Sequence, residues 1–273
     1  IIFISLLITS CQQIPINESN KKFVGDNIDK QNLEIDLKKQ EKIISYHSDI
    51  WSYILTNSSY TSDGLDEQTL MYMNRHLQDL DKFKEFLNDS YYFIFFVIEE
   101  LENAKLPIEL AFLPYIESNY DPFSISSSGA VGMWQFMPRT GRTYDLERSW
   151  WNEDRHDPFK STSAAIKYLK YLYERFDQDL YLTLAAYNAG PSFLDRQIKR
   201  NQRRGLNTDY WSLDLPIQTR NYVPKFIAIK ELIINSDQYD IELPFIPYEP
   251  VVAKIEIPGQ VEILTLSEYL NIN

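Results

Sequence analysis

Cysteine and glycine are scarce in this sequence of 273 residues. It contains one cysteine, Cys11, and eight glycines against thirteen prolines. A single cysteine excludes both an intramolecular disulfide and a metal site built from several cysteines. No GxGxxG or GxxxxGK[ST] string occurs, which argues against a glycine-rich loop that binds nucleotide phosphates. We therefore expect neither a cofactor nor a bound metal.

Positive charge is also in short supply. The chain has 27 Lys and Arg against 39 Asp and Glu, a formal net charge of -12. A surface of this sign repels nucleic-acid phosphates, so we exclude nucleic acid as a partner. The hydrophobic fraction of 44% is enough for one sizeable core.

Long hydrophobic runs are missing, and the run at the start of the sequence, IIFISLLITSC, is too short to span a bilayer. It is typical of the apolar part of a secretion signal. The residues before Cys11 resemble a bacterial lipobox, which implies cleavage there and lipidation of Cys11. Gln12 then favours the periplasmic leaflet of the outer membrane. The alternative is a leader whose cysteine is incidental.

The remaining chain divides into segments that differ in polarity and in the spacing of apolar residues, and we predict an all-α protein. Residues 12–35 are polar and indicate a flexible tether after the signal peptide of residues 1–11. Apolar residues at helical spacing predict a helical N-terminal extension over 36–94 and a helical domain over 95–240. Residues 241–273 are rich in proline and include VVAKIEI, which alternates as a strand does. We predict a short β or irregular arm there, or the start of a further module.

Several helix boundaries are marked by specific residues. Asp157 is a good N-cap for a helix whose first residue is Pro158. Gly190 predicts the end of the helix before it, and Ser192 resembles a start signal for the next one. Pro224 should bend the helix that contains it.

Glu117 lies in the stretch PYIESNYDPF, at the predicted end of a helix that begins at Pro107 and is kinked or ended by Pro114. The helix dipole disfavours a negative charge at a C-terminus, so we expect a raised pKa for this carboxyl. Taken alone, Glu117 is better interpreted as a solvated charge at a helix end. Asp121, before Pro122, is interpreted as a turn-former.

Four separated stretches, ESNYDP, SGAVGMWQFMPRTG, AAYNAGP and LPIQTRNYV, resemble in order and spacing the lysozyme-like lytic transglycosylases with an SLT-type catalytic domain. The resemblance is closest to the group of membrane-bound lytic murein transglycosylases D and covers roughly residues 95–235. It implies a lysozyme-like fold, a monomer, and peptidoglycan glycan strands as the substrate.

The resemblance also implies a mechanism. The family cleaves the bond between N-acetylmuramic acid and N-acetylglucosamine without water and leaves a 1,6-anhydromuramoyl end. Glu117 would protonate the leaving oxygen and then, as a carboxylate, take the proton of the C6 hydroxyl. Its site should be apolar, with Ile116, Trp134, Phe136 and Met137 as the candidate shell.

Further site residues follow from the same resemblance. Ser118 would orient Glu117 by a hydrogen bond, and the loop around Gln135 would contact the glycan. The complete predicted set for substrate binding is Ser118, Met133, Gln135, Tyr187, Asn188 and Tyr222. His156 is predicted to be structural, because no other His or Cys is spaced to complete a metal site.

One position departs from the family pattern: Gln218 stands where the family has Glu, which puts the tuning of the Glu117 pKa in doubt. Two alternatives stay open. A goose-type lysozyme hydrolase would need a second acid to activate water, and no motif supplies one. A cell-wall-binding lipoprotein with an inactive site is favoured by Gln218 alone.

Overall fold

The computed structural model describes residues 49–58 and 65–252. Within these residues the chain is helical, as predicted, and β-structure is limited to isolated bridges. We number the α-helices in chain order: α1 Ile50–Asn57, α2 Glu67–Leu77, α3 Leu80–Asn88, α4 Ile94–Ala104, α5 Leu113–Glu117, α6 Pro138–Thr143, α7 Pro158–Arg175, α8 Leu180–Ala189, α9 Pro191–Arg203 and α10 Ile217–Ile234. None of the described helices is both long and apolar enough to cross a membrane.

Aspartate side chains begin many of these helices. An aspartate accepts hydrogen bonds from free amides of the first turn in α1, α2, α3, α7 and α8. Asp157 accepts from the amides of Phe159 and Lys160, with Pro158 as the first residue of α7. The predicted start of α7 is therefore confirmed.

Gly190 separates α8 from α9 and serves both helices. Its φ of 85° ends α8, as predicted, and Gly190 is also the N-cap residue of α9, which begins at Pro191. The prediction that Ser192 starts this helix is wrong, because Pro191 already supplies a residue preset for the first turn. Pro224 lies inside α10, which continues through it to Ile234.

The N-terminal and C-terminal parts share one core with the middle of the chain. Buried side chains from α1 to Tyr248 form a single apolar cluster. The amide of Ile50 donates to the carbonyl of Ile246 at 2.8 Å, and the Tyr248 ring stacks on Tyr53 with centroids 4.0 Å apart. The described residues beyond 240 thus pack against α1.

Several predictions concern residues outside the described part. Cys11 and the tether over 12–35 lie there, as do most residues of VVAKIEI. The proposed boundaries near residues 94 and 240 stay predictions, although the apolar core continues across both of them.

Helix α10 organises the region that contains the site. It packs against α2 and α8 and also contacts the short helix α5, which ends at Glu117. Much of α10 is buried, including Tyr222, Val223 and Phe226. A central helix with such wide burial is held on several sides, so its side chains are presented at fixed positions.

Candidate active site

Glu117 is the last residue of α5, as predicted. The segment from Pro107 is not one kinked helix, however: a 3-10 helix over Ile108–Phe112 passes directly into α5. Pro114 lies in the first turn of α5, where its missing amide breaks no helical hydrogen bond. The helix ends after Glu117, and the amide of Ser118 bonds to the carbonyl of Pro114 at 3.0 Å.

Burial governs the protonation of Glu117. Burial raises the pKa of its carboxyl to about 7, although a hydrogen bond from Tyr222 and the positive charge of Lys225 both lower it. The Tyr222 hydroxyl donates directly to Glu117 Oε1, and the Tyr222 side chain is 5% exposed. A carboxyl with this pKa exchanges its proton near neutral pH, as a group that acts as both acid and base requires.

Ser118 has a different partner from the one expected. Its hydroxyl donates to the carbonyl of Met133 at 2.8 Å and not to Glu117. The hydroxyl therefore fastens the end of α5 to the loop over residues 121–136. The expectation that Ser118 orients the Glu117 carboxyl directly is wrong, because the single hydroxyl proton is already used.

Three carbonyls of this loop are anchored by three different parts of the chain. The Met133 carbonyl accepts from Ser118, and the Trp134 carbonyl accepts from the Tyr187 hydroxyl at 2.8 Å. The Phe136 carbonyl accepts from the Arg155 guanidinium at 2.8 Å. The loop is thus fixed by α5, by α8 and by the segment before α7.

The two predicted binding residues on this loop differ in the exposure of their side chains. The side chain of Met133 is fully buried, so its side chain belongs to the core and only its backbone borders the loop. Gln135 has a φ of 49°, and its side-chain amide donates to the carbonyl of Gly132 at 2.9 Å. Gln135 remains half-exposed at this strained position, and it stabilises the loop.

Three of the four residues predicted for the apolar shell of Glu117 belong to the apolar core, and their contact with the Glu117 carboxyl stays a prediction. Trp134 and Phe136 are buried, and Ile116 packs against the same core. The indole of Trp134 donates to Thr162 Oγ1 at 2.9 Å. Met137, the residue before α6, is 42% exposed, so its side chain does not belong to the buried core.

Tyr187 and Asn188 end α8 beside the site. The pKa of Tyr187 is raised by burial and then by the negative charge of Glu117, which indicates that the two groups are close. The Tyr187 ring packs on Tyr168 with centroids 5.3 Å apart. Asn188 Oδ1 accepts from Thr219 Oγ1 at 2.9 Å, which ties the end of α8 to the start of α10.

Gln218, next to Thr219, is exposed on the first turn of α10. Lys225 is the charged group that acts on Glu117 among the described residues, and the sequence analysis missed it. Its position three residues after Tyr222 places both on one side of a helix, so helical spacing alone could have found it.

Arg155 is a second residue that the sequence analysis missed. Its side chain is buried, forms two hydrogen bonds with the Glu153 carboxylate at 2.7 and 2.8 Å, and also reaches the carbonyl of Gly129 at 3.2 Å. Arg155 lies in the string DRHDP, and nothing in this string distinguishes a buried arginine from an exposed one. We assign Arg155 the role of positioning the loop.

Two predicted structural roles are confirmed. His156 Nδ1 is hydrogen-bonded to the carbonyl of Pro122 at 2.8 Å. Asp121 Oδ1 accepts from the amide of Phe123 at 2.8 Å, as a turn-former does. In the part of the chain that the structure describes, no cluster of His, Cys, Asp and Glu is arranged to hold a metal ion.

Comparison with known proteins finds similarity to lytic transglycosylases, which agrees with the resemblance of the four sequence stretches. The sequence model of the family "Transglycosylase SLT domain" matches residues 96–209. The chain is 32% identical over 237 residues to the membrane-bound lytic murein transglycosylase D of Escherichia coli K12, covering 84% of this chain and 51% of that protein. This chain thus spans about half the length of that relative.

Two further matches cover less. The membrane-bound lytic murein transglycosylase F of Alcanivorax borkumensis is 33% identical over 108 residues, 37% of this chain and 22% of that protein. The solved structure of the 70 kDa soluble lytic transglycosylase of Escherichia coli aligns with 82% of this chain and 35% of its own. That alignment has 15% identity and a TM-score of 0.43.

The loop geometry predicts that replacement by alanine is tolerated better at one of two glycines with positive φ than at the other. A Cβ added to Gly132 would lie 1.8 Å from the carbonyl oxygen of Arg155, whereas one added to Gly129 meets nothing within 4 Å. We expect Gly129→Ala to cost about 1 kcal/mol of unfolding free energy, from backbone strain alone. Gly132→Ala should cost at least about 2 kcal/mol more, because backbone must move. Urea unfolding of both variants measures this, and equal losses would contradict the described packing.

Proposed function

We propose that the protein is a peptidoglycan lytic transglycosylase, because residues 96–209 match the sequence model of the transglycosylase SLT domain family. It cleaves the bond between N-acetylmuramic acid and N-acetylglucosamine and forms 1,6-anhydromuropeptides, in remodelling or recycling of the cell wall. The observation that carries the proposal is Glu117, whose pKa is raised by burial to about 7 where Tyr222 donates a hydrogen bond to it.

The reaction needs one proton donor that later becomes a proton acceptor. Protonated Glu117 gives its proton to the glycosidic oxygen as the bond from that oxygen to C1 of the muramic residue breaks. The Glu117 carboxylate then takes the proton of the C6 hydroxyl, whose oxygen forms the new bond to C1. Glu117 ends protonated, water is not consumed, and the site is ready for another cycle. A pKa near 7 suits both steps at neutral pH.

The surroundings of Glu117 support this route over hydrolysis. A hydrolase with two carboxylates uses the second one either as a nucleophile or to activate water. Among the described residues, the charged group that acts on Glu117 is the cation Lys225. The side chain of Asp121, the acid nearest in sequence, is engaged in a turn. Among the described residues no observation favours hydrolysis, and Gln218, the residue that favours an inactive binding protein, lies exposed on the first turn of α10.

Tyr222 and Tyr187 have distinct proposed tasks. Tyr222 holds Oε1 of Glu117 and so fixes which carboxyl oxygen is free to face the substrate. Tyr187 holds the Trp134 carbonyl and so sets the position of the loop that borders the cleft. Asn188 and Gln135 complete the surface that we propose contacts the glycan, together with the backbone at Ser118 and Met133.

The location is proposed from the sequence. Two relatives are named as membrane-bound, and lipidated Cys11 would anchor this protein to the periplasmic face of the outer membrane as a monomer. We expect Cys11→Ser, in a gene that encodes the complete leader, to move the protein from the membrane fraction to the soluble fraction. Unchanged membrane binding would contradict the lipid anchor.

Glu117→Gln tests the proposed chemistry. The amide keeps the size of the side chain but carries no transferable acid proton, so release of anhydromuropeptides should fall by about 10²–10⁴-fold. Mass spectrometry of digested peptidoglycan measures the products. Glu85→Gln, on the exposed side of α3, is the matched control and should digest as the wild type does. Activity of Glu117→Gln within tenfold of the wild type would contradict a mechanism with one acid, and a reducing muramic end from the wild type would indicate hydrolysis.

Tyr222→Phe tests how the acid is tuned. The hydrogen bond from Tyr222 stabilises the carboxylate and lowers the pKa of Glu117, so its removal should raise that pKa further above about 7. Activity needs the protonated acid and falls as pH rises through this pKa. The alkaline limb of kcat/KM should therefore move to higher pH in Tyr222→Phe, with a lower maximum because the carboxyl is held less firmly. An alkaline limb that moves to lower pH would contradict the assigned hydrogen bond.

A further inference from the structure

Helix α9 concentrates positive charge in a protein that is acidic overall. Between residues 196 and 204 the sequence has five cations, whereas the whole chain carries a formal net charge of -12. All five side chains are exposed: Arg196, Lys199, Arg200, Arg203 and Arg204. Their spacing of three and four residues places them on one side of α9, opposite the buried Leu194 and Asn201. We call these five residues the cationic face.

The cationic face is poorly neutralised by the protein itself. Among the described residues, only Arg200 of the five forms an ion pair, with Asp214 at 3.0 Å. The one acidic residue of α9, Asp195, is paired with Arg175 of α7. Like charges at helical spacing destabilise a helix by a few tenths of a kcal/mol for each pair. Four of these five exposed cations therefore remain available to an anionic partner.

The segment over residues 207–214 is held from the side of α9 opposite the cationic face. Asn201 on α9 donates its side-chain amide to the carbonyls of Asn207 at 2.8 Å and Ser212 at 2.9 Å. These bonds hold the segment over 207–214 against the last turns of α9. Trp211 in this segment is 52% exposed, and its ring packs edge-on against Tyr210, with centroids 4.9 Å apart. Among the described residues of this segment, Asp214 reaches the cationic face through Arg200, and the other four cations stay exposed.

The cationic face is connected to the active site by the helix itself. α9 begins at Pro191, three residues after Asn188. At 1.5 Å per residue, the cations lie roughly 8–20 Å along the helix from that end. A polymer that occupies the cleft is long enough to reach this distance.

We propose that the cationic face binds the carboxylates of the peptides that peptidoglycan glycan strands carry. The inference rests on the proposed function, because it takes the substrate strand as the ligand. Arginine guanidinium groups pair with carboxylates through two parallel hydrogen bonds, and four of the five cations are arginines. The cations form a narrow strip along one helix, which fits a linear anionic polymer better than the plane of a membrane.

The test compares two variants with the same change of charge. Lys199, Arg203 and Arg204 are replaced by Gln in the first, and the exposed Lys82, Lys105 and Lys167 are replaced by Gln in the control. Both also carry Glu117→Gln, so that the strands are not cleaved during the measurement. Binding is measured by sedimentation with soluble peptidoglycan strands that carry peptides, and with the same strands after an amidase has removed the peptides.

The parent of both variants is the protein that carries Glu117→Gln alone. We expect the first variant to bind the peptide-bearing strands about tenfold more weakly than this parent, because three exposed charge interactions are lost. Both variants should bind the peptide-free strands within twofold of the parent. High salt should reduce the difference, because exposed charges are screened. An equal loss on both kinds of strand, no loss at all, or a loss shared by the control variant overturns the proposal. Binding of the same variants to vesicles of phosphatidylcholine and phosphatidylglycerol in equal parts is measured as well. If the first variant loses binding to these vesicles and not to the strands, the proposal is overturned.

The outcome is separable from that of the proposed function. In one outcome the wild type releases no anhydromuropeptide while the tenfold difference in binding to peptide-bearing strands is still observed. This result contradicts the proposed enzyme activity and supports the proposed binding surface. Release of anhydromuropeptides without the contrast supports the enzyme and overturns the binding surface.

Discussion

The contact between Tyr222 and Glu117 joins the two helices on which the site depends. Glu117 is the last residue of the short helix α5, and Tyr222 lies on the largely buried helix α10. Burial favours the protonated carboxyl, while the hydroxyl and Lys225 favour the carboxylate, and the balance leaves the pKa of Glu117 at about 7. A carboxyl so balanced can give and take a proton in one cycle.

Hydrogen bonds to the carbonyl groups of a single loop fix the surroundings of Glu117. Ser118, Tyr187 and Arg155 each donate to a different carbonyl between residues 133 and 136. The loop has little regular structure of its own, since its backbone pairing is limited to isolated bridges. Side chains from distant parts of the sequence therefore replace the hydrogen bonds that a sheet would provide. Gly132 lets the backbone of Arg155 approach so closely that a larger residue would collide with it.

The sequence predicted features that depend on local chemistry. The Asp157 cap, the end of α8 at Gly190 and the place of Glu117 at a helix C-terminus all follow from neighbouring residues. Features that depend on distant partners were missed or wrong. Ser118 bonds to a carbonyl fifteen residues away, and Arg155 is buried by a loop that precedes it in the chain. No spacing rule gives the partner of a side chain across a turn.

Direct titration of the Glu117 carboxyl shows whether this group is protonated at neutral pH. The carbonyl stretch of a protonated carboxyl is resolved by infrared difference spectroscopy between the wild type and Glu117→Gln across a range of pH. We expect a band that disappears with a midpoint near pH 7, because burial outweighs the stabilisation of the carboxylate by Tyr222 and Lys225. A midpoint near the ordinary glutamate value of about 4.3 would contradict it, because Glu117 would then be ionised at neutral pH and could not protonate the leaving oxygen.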